Sequence, residues 1–62
     1  MNGYVLKLNG STSPCMYVAR AGSKHHYTHA LRDAEIFATL EVARSLASSN
    51  ETAVTVRSQI ET

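Results

Sequence analysis

Only one stretch of this chain repeats its apolar residues at helical spacing, and its other apolar segments alternate in steps of two. Leu40, Ala43, Leu46 and Ala47 fall on one face of a helix. Tyr4-Val5-Leu6-Lys7-Leu8, the segment 15–20 and the segment 52–57 carry the two-residue period of strands. A chain of 62 residues has room for a single core. Strands that outnumber helices, with too little chain between them for repeated crossovers, imply an α+β domain: a small antiparallel sheet with one amphipathic helix packed on one face.

Local signals place the elements. The first strand puts Tyr4, Leu6 and Leu8 on one face and Val5 and Lys7 on the other. Asn9-Gly10 is a turn pair, because both residues tolerate positive φ, and residues 11–14 lengthen the connection. The second strand covers 15–20 and stops where Gly22 breaks the alternation. After a polar, His-rich stretch, Thr28 is suited to cap a single helical turn over 29–32. Residues 34–37 read as a short third strand, with continuation of that turn as the alternative. Thr39 is a good N-cap and Glu41 suits the positive end of a helix over 40–48. Asn50 can take the left-handed conformation that ends it. The last strand spans 52–57 with Val54 and Val56 facing the core, and residues 58–62 are expected to fray. The resulting order is ββ-β-α-β. It leaves one sheet face, with Lys7, Arg20, Thr55 and Arg57, open to solvent or a partner.

Composition narrows the functional classes. The aromatic residues are Tyr4, Tyr17, Tyr27 and Phe37, so the core must come mainly from aliphatic side chains. A core of that size supplies about 3–5 kcal/mol, which makes a homodimer an attractive source of further stability. Cys15 is alone, so no internal disulfide staples the fold, and a reducing cytoplasmic setting suits it. No apolar run approaches the length of a signal segment or a membrane span. Six basic and five acidic side chains are too balanced for strong nonspecific nucleic-acid binding, and too balanced for an acidic mimic of DNA. Asn9-Gly10-Ser11 and Asn50-Glu51-Thr52 match the glycosylation pattern, but without a secretory signal they read as a turn and a helix end.

No catalytic constellation emerges. His25, His29 and Asp33 would align on a continuous helix, yet Gly22-Ser23 and Tyr27-Thr28 argue against one, and no fourth ligand completes a closed zinc site. No metal and no cofactor are expected. Gly3, Gly10 and Gly22 are isolated, so no phosphate-cradling glycine motif exists. Cys15 has no histidine at a spacing that suggests nucleophilic catalysis and reads as a packing residue. What remains is the only basic cluster, Arg20, Lys24, His25, His26 and Arg32, with Tyr27 beside it able to stack on a base. These six residues are the candidate contact site, because loops on rigid scaffolds carry binding function.

The opening Tyr4-Val5-Leu6-Lys7, the Tyr17-Val18-Ala19-Arg20 segment, Tyr27-Thr28, Leu31 through Phe37 and Thr39-Leu40-Glu41-Val42-Ala43 together resemble small orphan proteins encoded by phages and prophages. The resemblance covers most of the chain, and its Ala34, Phe37 and Ala43 positions are packing residues, so it carries over a fold and no active site. Proteins of that kind include anti-CRISPR and other anti-defence inhibitors, which occupy a surface of a larger nuclease complex. The resemblance therefore implies a noncatalytic protein-binding module, acting in the host cytoplasm on a host protein or nucleoprotein complex. Two other classes compete with it: a small dimeric nucleic-acid-binding regulator placing Arg20, Lys24, Arg32 and Arg57 on phosphates, and an assembly subunit.

Overall fold

A computed structural model describes residues 3–11 and 15–60. Its elements are strands β1 (Tyr4–Leu8), β2 (Tyr17–Val18) and β3 (Tyr27–Thr28), a 3-10 turn (Leu31–Asp33), helix α1 (Leu40–Leu46), strand β4 (Glu51–Thr55) and helix α2 (Val56–Ile60). The four strands form one sheet in the order β3-β2-β1-β4, every pairing antiparallel. The fold class read from the sequence is therefore the observed one.

β1 sits inside the sheet and pairs along its whole length with β4, from Tyr4 opposite Thr55 to Leu8 opposite Glu51. Pleating puts Val5, Lys7, Val54 and Tyr17 on one face, and Tyr4, Leu6, Ala53 and Thr55 on the other. Val5 and Leu6 are adjacent residues on opposite faces, and both are fully buried. On the Leu6 face α1 packs across β1 and β4, with Ala43 as its buried residue. The small side chain lets the helix axis approach the sheet closely. On the Val5 face Tyr17, Ala34 and Val56 close a second cluster, with Cys15, Leu31 and Val54 packed at its margin.

This double cover corrects the expectation of an open sheet face. Lys7 and Thr55 lie on opposite faces, and the side away from α1 is covered by the 3-10 turn, the segment after it and α2. The sequence extends the last strand to residue 57 and leaves residues 58–62 to fray. Instead β4 stops at Thr55, whose hydroxyl accepts from the Ser58 N–H at 3.2 Å and so caps α2. Val56 is buried as expected, but it opens this helix rather than extending the strand. Glu61 and Thr62 lie outside the described residues, as do Thr12 to Pro14 of the first connection.

The third strand also moves. Residues 34–37 are extended, but only Ala34 bridges Ala19 and only Phe37 bridges Tyr4. The segment crosses from the end of β2 to the start of β1 without running beside either, so no ladder develops. The third strand is Tyr27–Thr28, which folds back on β2. The turn expected over 29–32 appears as the 3-10 turn over 31–33, starting two residues later and ending one later, and Thr28 Oγ1 accepts from the Ala30 N–H ahead of it. Other local readings hold: Ser11 N–H closes the Asn9-Gly10 turn on Leu8 O at 3.3 Å, and Gly10 has φ +83°. Thr39 caps α1 through the Val42 N–H, although the helix ends at Leu46 and not at residue 48. At the edge of the Val5 face Gly3 has φ +149°, and a Cβ there would stand 2.7 Å from Ile36 Cγ2. Only glycine fits both constraints.

Candidate functional site

The hairpin of β2 and β3 presents the loop that holds most of the expected contact residues. Ala19 N–H donates to His26 O at 2.8 Å and Arg20 N–H to Asp33 O at 2.9 Å, which fixes both ends of the loop. Within it Ser23 N–H returns to Arg20 O, and Ala21 N–H donates to Glu35 Oε1. A polar cleft of about 330 Å³ opens beside this loop, lined among others by Arg20, Ser23, His25, Tyr27, Thr28 and Asp33. Arg20 and Asp33 face each other at 3.7 Å, both well exposed, so the pair is solvent-screened and exchangeable. The cleft thus offers a cation, an imidazole, hydroxyls and a carboxylate, a set suited to a mixed polar surface.

Of the six expected contact residues, Arg20, His25 and Tyr27 line this cleft. Lys24 and His26 are exposed on the same loop. Arg32 is not with them. The 3-10 turn directs it to an apolar groove of about 370 Å³ that it shares with Leu31, Ile36, Val56 and Ile60. The stretch from His25 to Asp33 is a bend, a strand and a 3-10 turn, so the helical alignment of His25, His29 and Asp33 does not exist. Among the described residues no group of three metal-binding side chains comes together.

What anchors the loop is Glu51, a residue the sequence reading passed over. It is the only buried charged residue among those described. Its Oε2 accepts from the Tyr27 hydroxyl at 2.6 Å, and its Oε1 accepts from the Ser48 N–H at 3.0 Å. His26 Nε2 lies 3.8 Å from Oε2, and its ring meets Tyr27 edge-on at 4.5 Å. β3 and β4 are opposite edges of the sheet, so the Tyr27 to Glu51 bond reaches over the face between them. On a flat sheet three strand spacings of about 4.8 Å would separate those edges; twist and two long side chains close the distance.

The electrostatics follow from this geometry. Burial opposes the charged form of Glu51, but the Ser48 N–H, the Tyr27 hydroxyl and the His26 imidazole outweigh it and hold the carboxyl below its ordinary range. The bond to Glu51 raises the Tyr27 phenol, with burial and the carboxylate charge acting the same way and Asn50 against them. A carboxyl depressed in the folded state stabilises the fold above its unfolded value of about 4.3 and loses that contribution as pH falls through the folded value. Melting temperature followed through that acid window should therefore fall more steeply for the natural chain than for E51Q. Equal slopes would show that Glu51 is not coupled to folding.

No spacing signal could have found this pair, since Tyr27 and Glu51 are 24 residues apart and meet only across the folded sheet. The one local hint is the Ser48 to Glu51 turn, in which each backbone N–H is satisfied by the other residue. Among the described residues no helix is long and apolar enough to cross a membrane. Comparison with protein-family models, with curated proteins and with solved structures found no match to this chain.

Proposed function

We propose that this chain is a noncatalytic binding module whose contact surface is the loop 20–28 and the cleft beside it. The observation that carries the reading is the contrast between the two ends of one short segment. Arg20, Lys24, His25 and His26 are exposed, while the adjoining Tyr27 is fastened to buried Glu51. Polar side chains held on a fixed loop lose little freedom on binding, which favours recognition over mere solvation. The partner fitting the phage-protein resemblance is a host protein or nucleoprotein complex, and the activity is inhibition of a bacterial defence nuclease in the host cytoplasm.

A nucleic-acid regulator is the weaker reading. Asp33 sits in the cleft against Arg20, and Arg32 turns away to an apolar groove, so these cations do not share one phosphate track. The test is a cleavage assay with a purified CRISPR nuclease complex, run with the natural chain and with R20A/K24A/H25A, which leaves the His26 contact with Glu51 in place. All three positions are exposed, so the variant should melt within a few degrees of the natural chain. Inhibition and co-migration by the natural chain, both lost in the variant, are the expected results. A variant that inhibits equally well would remove the loop from the interface, and salt-sensitive retention of free DNA or RNA would favour the regulator.

A further inference from the structure

The two turns at one end of the sheet treat their asparagines differently. Asn9 and Asn50 are both exposed, and Asn9 N–H donates to Asn50 O at 2.8 Å. After Asn50 the chain continues into buried Glu51, whose N–H is already given to Ser48 O at 3.0 Å. After Asn9 it continues into exposed Gly10, where nothing beyond its two chain neighbours lies within 4 Å of the Cβ position. Among the described residues the Gly10 N–H has no backbone acceptor. In addition the Thr52 hydroxyl of β4 donates to Asn9 Oδ1 at 2.5 Å, drawing electron density from the side-chain carbonyl.

We infer that Asn9 is a site of spontaneous deamidation, with Thr52 as the residue that activates its amide. The Gly10 backbone nitrogen loses its proton and attacks Asn9 Cγ. The Cγ–Nδ2 bond then breaks, and ammonia leaves with the displaced proton. The resulting succinimide takes up one water at either carbonyl and opens to aspartate or isoaspartate at position 9. An unhindered glycine nitrogen can reach the ring-closing geometry that a branched neighbour resists. The Thr52 hydroxyl also faces the oxygen on which charge develops during attack. Isoaspartate places an extra methylene in the main chain, where Asn9 N–H meets Asn50 O and Ser11 N–H meets Leu8 O. The modification therefore loosens the end of the β1–β4 pair.

The sequence holds a second Asn-Gly pair at Asn2-Gly3, so the experiment uses the full chain carrying N2Q. That protein is kept in warm, mildly alkaline buffer and mapped by peptide mass and backbone fragmentation. A gain of about 1 Da is expected at position 9 with both isomers present, and none at Asn50 over the same interval. T52V should slow the conversion about fivefold, the effect of one neutral hydrogen bond strengthened in the transition state, and T52S should restore it. A folded chain in which position 9 converts no faster than Asn50 overturns the site. T52V converting at the unaltered rate, with its fold confirmed by circular dichroism, overturns the role of Thr52.

Discussion

Leu6→Ala should leave the chain largely unfolded at room temperature. Leu6 is one of the largest fully buried side chains, enclosed on the α1 side of β1. Removing a buried leucine side chain beyond its Cβ costs about 2–5 kcal/mol through lost transfer energy and the cavity left behind. A domain this small has about 3–5 kcal/mol in total. The pocket has little means of collapse, since Val5 and its neighbours fix β1 from the other face. Circular dichroism and thermal melting would read the loss, with Val42→Ala as a control. Val42 is about half exposed (48%), and its truncation should change stability by no more than about 0.5 kcal/mol. Near-native melting of Leu6→Ala would mean that α1 does not depend on that face.

Glu51→Ala should be the most damaging change of a polar residue. It leaves the Tyr27 hydroxyl and the Ser48 N–H without their acceptor and frees the edge strand that carries the proposed contact loop. Loss of a buried, charge-assisted pair of hydrogen bonds costs about 2–4 kcal/mol. In a domain of this size each kcal/mol lowers the melting temperature by about 4–8 °C. Glu51→Gln keeps an acceptor and most of the shape, so it should lose less. It also removes the carboxylate that raises the Tyr27 phenol, first by its hydrogen bond and less by its charge, so the phenol should then titrate closer to its ordinary value. A melting temperature unchanged in Glu51→Ala would show that the loop is held by its backbone bonds alone. Reduced binding in a still-folded Glu51→Gln would tie loop anchorage to recognition.

The two predictions mark where local reading of the residues succeeds and where it stops. β1, the Asn9-Gly10 turn and the Thr39-capped α1 are encoded within a few neighbouring residues, through alternation, positive φ and a side-chain cap. The segment 34–37 looks locally like a strand, and its backbone is extended. It fails as one because neighbouring chains meet it only at its two ends. Conversely, Tyr27-Thr28 has no pattern long enough to register as a strand, and becomes one because β2 supplies a partner. The end of the chain shows the same competition. Alternation through Val54 and Val56 continues a strand on paper, but Thr55 caps a helix that opens at Val56, which packs in the Val5 cluster all the same.

The basic, His-rich loop was legible as a loop and as the main concentration of exposed cations, and three of its six expected residues, Arg20, His25 and Tyr27, line one cleft while Lys24 and His26 are exposed on the same loop. Arg32 could not be excluded from its residue type, since only the direction of the 3-10 turn separates it from the rest. From the sequence alone come the α+β class, an antiparallel sheet, β1, the Asn9-Gly10 turn and the capped start of α1, because periodicity and capping act over a few residues. Tertiary structure alone decided that both faces of the sheet are covered, that Arg32 leaves the cleft, and that Glu51 is buried against Tyr27. Those outcomes depend on which distant segments meet, and no local pattern encodes a bond between residues 24 positions apart.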